Sequence, residues 1–215
     1  RGAALIKNLG LTHEQQHLNL VDCFGRVELE KLCKFDYMEE YTGENIFENI
    51  YRSISTDDGD VVRAAQLADL QTYMAEDILM KVDKMSMAHG LEVRVPFLDH
   101  KVVEMAMRIP TIYNLKGNQR KLALKESMSD LVPSEFLKRS KHGFTAPVDQ
   151  WLKNDLKEVF GDLLLSPSST NSGLFERREV QILWQKFSGV NCHVGISERL
   201  WTLLCFEMWN NVYHK

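Results

Sequence analysis

No apolar run in this sequence approaches the about 20 residues that a membrane-spanning helix needs, and no signal peptide is read at its start. A partner membrane and a secretory route are therefore not expected. Cysteine is scarce: Cys23, Cys33, Cys192 and Cys205 are all there is, and their spacings fit no metal site. They read as reduced thiols of a cytoplasmic protein. Neither sign of charge dominates. The formal net charge is -4 and the charges are interspersed, which speaks against nucleic acid, whose phosphates want a basic face. A small basic pocket for a nucleotide stays open. No repeat period is present, and strand-like alternation is rare.

Present instead is an ordinary globular composition, 44% hydrophobic and 26% charged over 215 residues. That length suffices for one domain, or one domain with a sub-lobe, and for a core that needs no disulfide or metal. The sequence opens at Arg1 rather than Met, which reads as a fragment or a processed piece.

Helical periodicity dominates. Helices are expected from Thr12, over Arg26 to Cys33, over Ile46 to Ser55 and, after a turn at Ser55 to Asp60, over Val62 to His89. In that long helix Leu70, Met74, Ile78, Val82 and Met85 recur every three or four residues, so they predict one buried stripe. Gly90 suits the left-handed residue that ends it. Asp99 is a good N-cap for a helix with Val102, Ala106 and Ile109 on one face, which Pro110 stops. A turn at "LKGNQRK" leads to a helix over Lys121 to Leu131. Pro147 suits the first position of a helix that buries Val148, Trp151, Leu152, Leu156 and Phe160. A polar linker spans Ser166 to Gly173, and two last helices cover Arg177 to Ser188 and Ile196 to Tyr213. The fold class is mainly α, with no parallel sheet.

Four motifs invite chemistry. "HEQQH" (His13 to His17) matches the pattern that puts two zinc ligands and a general base on one helical face. But Thr12 and Gln15 form a capping box, the flanks are polar and no third ligand stands out, so a solvated helix start is the better reading. Asp77, Lys81 and Lys84 share one face of the long helix; this is either a salt-bridged solvent face or a basic spot for an anion. In "GLEVRVPFLD" (Gly90 to Asp99) side chains alternate, so Glu92 and Arg94 point to one side and Val93 and Val95 to the other. Such a segment can cross a core and face a polar cavity, or Glu92 and Arg94 can be a structural ion pair. "RSKHGF" (Arg139 to Phe144) sets Lys141 beside a flexible glycine, where it could reach a phosphate as a point charge. The histidines His89, His100, His142 and His193 have no Ser or Cys partner by spacing, so no triad is proposed.

The order of these pieces resembles the synthetase domain of the glutamine-hydrolysing asparagine synthetases. The likeness runs through "KVDKMSMAHGLEVRVPFLDH", "LKGNQRKLALKESMSDLVPSEFLKRSKHGFTAPVDQWLKNDL", "GLFERREVQILWQKF" and "SERLWTLLCFEMW", nearly the whole chain. The family's S-G-G-x-D-S pyrophosphate loop, its S-G-x-G-x-D-E stretch and its glutaminase domain are not in this sequence. The resemblance therefore implies the C-terminal, helical part of an adenine-nucleotide α-hydrolase-like (PP-loop ATP pyrophosphatase) synthetase domain, without its nucleotide-binding sheet. Within 1–215, residues 1–60 are leading helices, 61–165 the family signature block and 166–215 the C-terminal helices.

For the parent enzyme the resemblance implies that the aspartate side-chain carboxylate attacks the α-phosphorus of Mg-ATP. Pyrophosphate leaves, and ammonia drawn from glutamine then displaces AMP from the acyl-adenylate. Lys141 matches the lysine of the family's R-x-K-x-G-F loop, which contacts the phosphates. Lys81 and Lys84 fall at basic positions of the same pocket. Val82, Val93, Val95 and Leu98 fall at positions that line the apolar ammonia tunnel, with Glu92 and Arg94 anchoring that wall from behind. ATP and Mg2+ would be bound mainly by residues absent here, and no metal ligand is assigned on this chain. The expected partners are aspartate, ATP and ammonia, the N-terminal glutaminase domain and, with room left for it, a homodimer. The alternatives are an amidotransferase acting on another carboxylate and a non-catalytic helical module.

Overall fold

A computed structural model describes residues 10–34, 46–54, 59–140, 143, 146–166, 173–189 and 195–214. They are mostly helical, and the strands among them form one two-residue antiparallel hairpin, Leu115–Lys116 (β1) with Gln119–Arg120 (β2). The chain divides into two compact units. One comprises 1–17 with 45–142, the other 18–44 with 143–215.

The first helix, α1, covers His13–Val21, and its start is written locally. The Thr12 amide donates to Gln15 Oε1 at 3.1 Å, and the Gln15 amide donates to Thr12 Oγ1 at 3.3 Å. This closes the capping box. Two further helices follow, α2 at Arg26–Leu32 and α3 at Ile46–Ile54.

In the first unit, α3 packs on α4 (Val61–Asp69). Ala64 and Ala68, one helical turn apart and buried, let the two helices approach, and Phe47, Ile50 and Tyr51 fill the seam. Asp60 caps α4. Its carboxylate accepts from the amides of Val62 and Arg63, both at 3.1 Å, and from the Thr111 hydroxyl at 2.7 and 2.8 Å. The Thr111 bond, above all, holds the Asp60 carboxyl below its usual value of 3.8, helped by the Arg63 amide and charge. The sign follows. The stability this carboxylate contributes is complete above its usual range and is lost as pH falls through the lowered value. Asp60→Asn keeps a capping oxygen but turns charge-assisted bonds into neutral ones, and is expected to cost about 1 kcal/mol at neutral pH. The difference from wild type should start to shrink as pH falls past 3.8 and vanish only below the lowered value, in urea titrations run across pH; an equal gap at acid pH would refute the assignment.

The helix continues from α4 through a π-helical stretch, Leu70–Leu79, into α5, Met80–Met87. Thr72 returns its hydroxyl to the Ala68 carbonyl at 2.7 Å within this run. Gly90 ends it at φ 65, with its amide on the Met87 carbonyl. The predicted stripe is not buried: Leu70, Met74 and Ile78 are half-buried, and Val82 and Met85 are exposed. A stripe is buried only where a second layer lies on it, and none of the described residues supplies one. The same holds downstream. From Asp69 to Ser140 no residue is buried, although this span carries Leu91, Phe97, Ile112 and Leu131, each at least 60% exposed.

After a short 3-10 turn at Pro96–Leu98, α6 covers His100–Arg108, capped by Asp99 Oδ1, which accepts from the Lys101 amide at 2.9 Å. Beyond the hairpin, α7 spans only Leu122–Ser127, shorter than the expected run to Leu131. Lys121 sits left-handed at φ 59 before it, and turns replace helix after Ser127. A one-turn helix, α8, covers Ser134–Leu137.

The second unit holds the larger core. Its helices are α2, α9 (Val148–Lys153), α10 (Lys157–Phe160, continued by a π turn at Gly161–Leu165), α11 (Arg177–Ser188) and α12 (Ile196–Tyr213). Pro147 stands at the N-cap of α9, one place before the expected position. Leu152, Phe160, Leu164, Phe187, Leu200 and Leu204 are buried together, with Trp184 stacked on Phe160 at 4.5 Å. Leu156 is half-buried against this core, and half-buried Trp151 meets the Trp201 ring at 5.8 Å.

Candidate functional site

The sequence-predicted residues fall on the exposed span of the first unit. Helix α5 and the π stretch before it carry Asp77, Lys81 and Lys84 on one side, because positions four and three apart stack on a helix face. Lys81 Nζ lies 2.9 Å from Asp77 Oδ2, and both side chains are well exposed. Pairs of this kind contribute little to stability. Lys84 is exposed and joins no ion pair among the described residues.

Residues 91–95 run without helix or strand. The alternation of an extended chain puts Glu92 and Arg94 on the same side, and they pair with each other. Both side chains stand in solvent, so the pair does not tie the segment to another element. Val93 and Val95 share the opposite side and are exposed, as is Val82, while Leu98 is half-buried in the 3-10 turn. Lys141 and His142 lie outside the described residues. Arg139, just before them, places its guanidinium 5.9 Å from the Phe136 ring centre.

The zinc-like motif is resolved differently from its sequence reading. His13 is exposed, but His17 is buried rather than solvated. Its Nε2 lies 3.0 Å from Asp69 Oδ1 and its Nδ1 lies 3.0 Å from the Tyr51 hydroxyl. A carboxylate only accepts, so His17 Nε2–H donates to Asp69 and, in the neutral ring, Nδ1 accepts a hydrogen bond from the Tyr51 hydroxyl. The ring also meets Phe47 edge-on at 5.0 Å. Burial, with the charges of Asp69 and Glu14, pushes the Tyr51 phenol up and keeps it neutral. Both nitrogens of His17 are thus spent on a structural knot. Among the described residues no group of three or more His, Cys, Asp or Glu side chains converges to hold a metal. Sequence reasoning missed this knot, because Tyr51 and Asp69 lie 34 and 52 residues away.

Cys23, Cys33 and Cys205 are free thiols, and Cys192 lies outside the described residues. Burial raises the Cys33 thiol, which makes its thiolate scarcer. No described helix is long and apolar enough to cross a membrane.

Comparison with known proteins adds a family. The asparagine synthase profile matches residues 14–211. The glutamine-hydrolysing asparagine synthetase 1 of Bacillus subtilis is 30% identical over 85% of this chain, which covers 29% of that protein. A putative glutamine-hydrolysing asparagine synthetase of Mycobacterium tuberculosis (strain ATCC 25618 / H37Rv) is 31% identical over 99% of the chain and 32% of its own length. The amidase chry2 of Gibberella zeae is 27% identical over 56% of the chain and 19% of its own. The chain therefore spans about three-tenths of the length of the first two. No solved structure matches it.

Proposed function

The chain belongs to the asparagine synthase family, and on that premise we propose that it is the C-terminal helical part of an ATP-dependent amidotransferase. The reaction would convert aspartate to asparagine through an acyl-adenylate, with ammonia from glutamine. Two of the three relatives above are asparagine synthetases by name and the family match covers the signature block, which supports the reading.

One structural observation carries the placement within a larger protein. A span of about seventy residues, 69–140, holds many large apolar side chains and buries none of them. Exposed apolar surface on this scale marks an interaction face rather than a finished exterior. The occupant proposed is the nucleotide-binding part of the same protein, which would lie against this span and turn Val82, Val93, Val95 and Leu98 from surface residues into a dry wall. Neutral ammonia passes such a wall without being protonated. Glu92 and Arg94, neutralising each other, would stand on its polar side.

The described residues do not fit Mg-ATP by themselves. They bring together no metal-ligand cluster, and Lys81 and Lys84, the cations expected at the phosphate pocket, stand on an open helix face. Binding of ATP and Mg2+ is therefore assigned to residues beyond this chain, with Lys141 as its contribution to the phosphates. The glutaminase domain is the partner that would supply ammonia.

The test compares two purified proteins, this 215-residue chain and the longer protein that contains it. With aspartate, ATP, Mg2+ and ammonium, the longer protein is expected to release pyrophosphate and form asparagine, and the chain alone to do neither. Turnover by the chain alone would overturn the division of labour. Amide formation on a different carboxylate, with aspartate inert, would move the protein to the sister reaction.

A further inference from the structure

The second unit contains a groove of about 500 Å³ between α2, α11 and α12. That lies within the range of about 300 to 1,000 Å³ typical of small-molecule sites. None of the residues that the family resemblance singles out lines it. Its floor is the edge of the core, Phe24, Leu32 and Ile196, each buried, and Ile182 and Leu183 extend the apolar surface.

The rim is charged and unbalanced. Three cations, Lys31, Lys186 and Arg199, face two carboxylates, Glu28 and Glu179. Arg199 is already engaged. Its Nη1 donates to Glu28 Oε1 at 2.8 Å, and its guanidinium lies 5.7 Å from the Phe24 ring centre. This leaves Lys31 and Lys186 against Glu179 alone, and none of these three joins an ion pair among the described residues. Among the described residues the rim therefore carries one more positive charge than negative, directly above an apolar floor.

We propose that this groove binds a small amphipathic monoanion: an aliphatic or aryl carboxylate whose apolar body lies on Phe24, Leu32, Ile182 and Ile196 and whose carboxylate meets Lys31 and Lys186. Each half of the molecule answers one half of the groove. A purely polar anion would leave the floor wet, and a neutral chain would leave the lysines unanswered. A dication would meet repulsion from the rim. The pinned Arg199 fixes the wall, so the ligand meets a preformed surface, with only the two lysine stems to order.

Decanoate is the probe. Added to the 15N-labelled 215-residue chain, it is expected to shift amide signals around Phe24, Ile182 and Arg199 in a saturable manner with one molecule bound. Lys31→Gln combined with Lys186→Gln should weaken that binding about tenfold or more, since charge-assisted contacts are the stronger ones. Both positions are exposed, so the variant should keep the wild-type circular dichroism and melting. Decanol, with the same chain and no charge, should bind at least about tenfold more weakly for the same reason. Ile182→Glu should abolish the shifts. The proposal is overturned if the shifts map to the exposed span of 69–140 instead, or if decanol binds as well as decanoate. It is equally overturned if the double lysine variant binds with unchanged affinity.

Discussion

Lys141→Ala in the longer protein is expected to lower asparagine formation about a hundredfold or more while glutamine hydrolysis survives. The size follows from removing one preorganised charge where negative charge shifts between phosphate oxygens, a loss of roughly 3 kcal/mol or more. Lys141→Arg should rescue poorly, because a planar guanidinium fork does not replace a compact ammonium. The assay supplies free ammonia, so that damage to ammonia delivery cannot mimic the effect. An ordinary loop lysine predicts the opposite: near wild-type turnover and unchanged melting. That outcome would remove Lys141 from the phosphate site. The prediction rests on the R-x-K-x-G-F resemblance and on family membership; Lys141 itself lies outside the described residues.

The second large effect concerns stability and compares two phenylalanines. Phe160 is fully buried and stacks on Trp184 at 4.5 Å, whereas Phe97 is 63% exposed. Phe160→Ala removes a ring from a closed core and should cost about 3 to 5 kcal/mol. Phe97→Ala in this chain should stay within about 0.5 kcal/mol, as surface changes do. All four tryptophans, Trp151, Trp184, Trp201 and Trp209, belong to the second unit, so their fluorescence follows the unfolding of the unit that holds Phe160. Phe97→Ala needs a helical circular dichroism readout. In the longer protein the same substitution should cost several times more, because there a covering layer is proposed over residues 69–140. An equally small cost in both proteins would count against that cover.

Local signals were legible wherever a structure depends on neighbours in sequence. The capping box of Thr12 and Gln15, the Asp99 cap and the left-handed Gly90 were read from residues within a few positions of one another, and each has the expected geometry. The last two helices, expected after the polar linker, span the expected residues. The helix after Lys121 was read too long, because periodicity alone does not mark where turns take over at Met128. The stripe from Leu70 to Met85 was read as buried. Its residues are correctly spaced for burial, but spacing states only that a helix has an apolar side, not that anything covers it.

The sequence by itself determined the helical class, most element boundaries and the family, since caps, periodicity and motifs are short-range patterns carried by the residues themselves. Only the tertiary structure decided that His17 is a buried knot with Tyr51 and Asp69 rather than a metal ligand or a solvated residue. It alone set Lys31, Lys186 and Arg199 around one groove, from segments more than 140 residues apart. It also showed the apolar span from 69 to 140 lying open. The physical reason is common to all three. Burial and charge pairing are properties of what comes to lie next to a side chain, and for these residues the neighbours come from distant parts of the chain or, as proposed for the open span, from outside it.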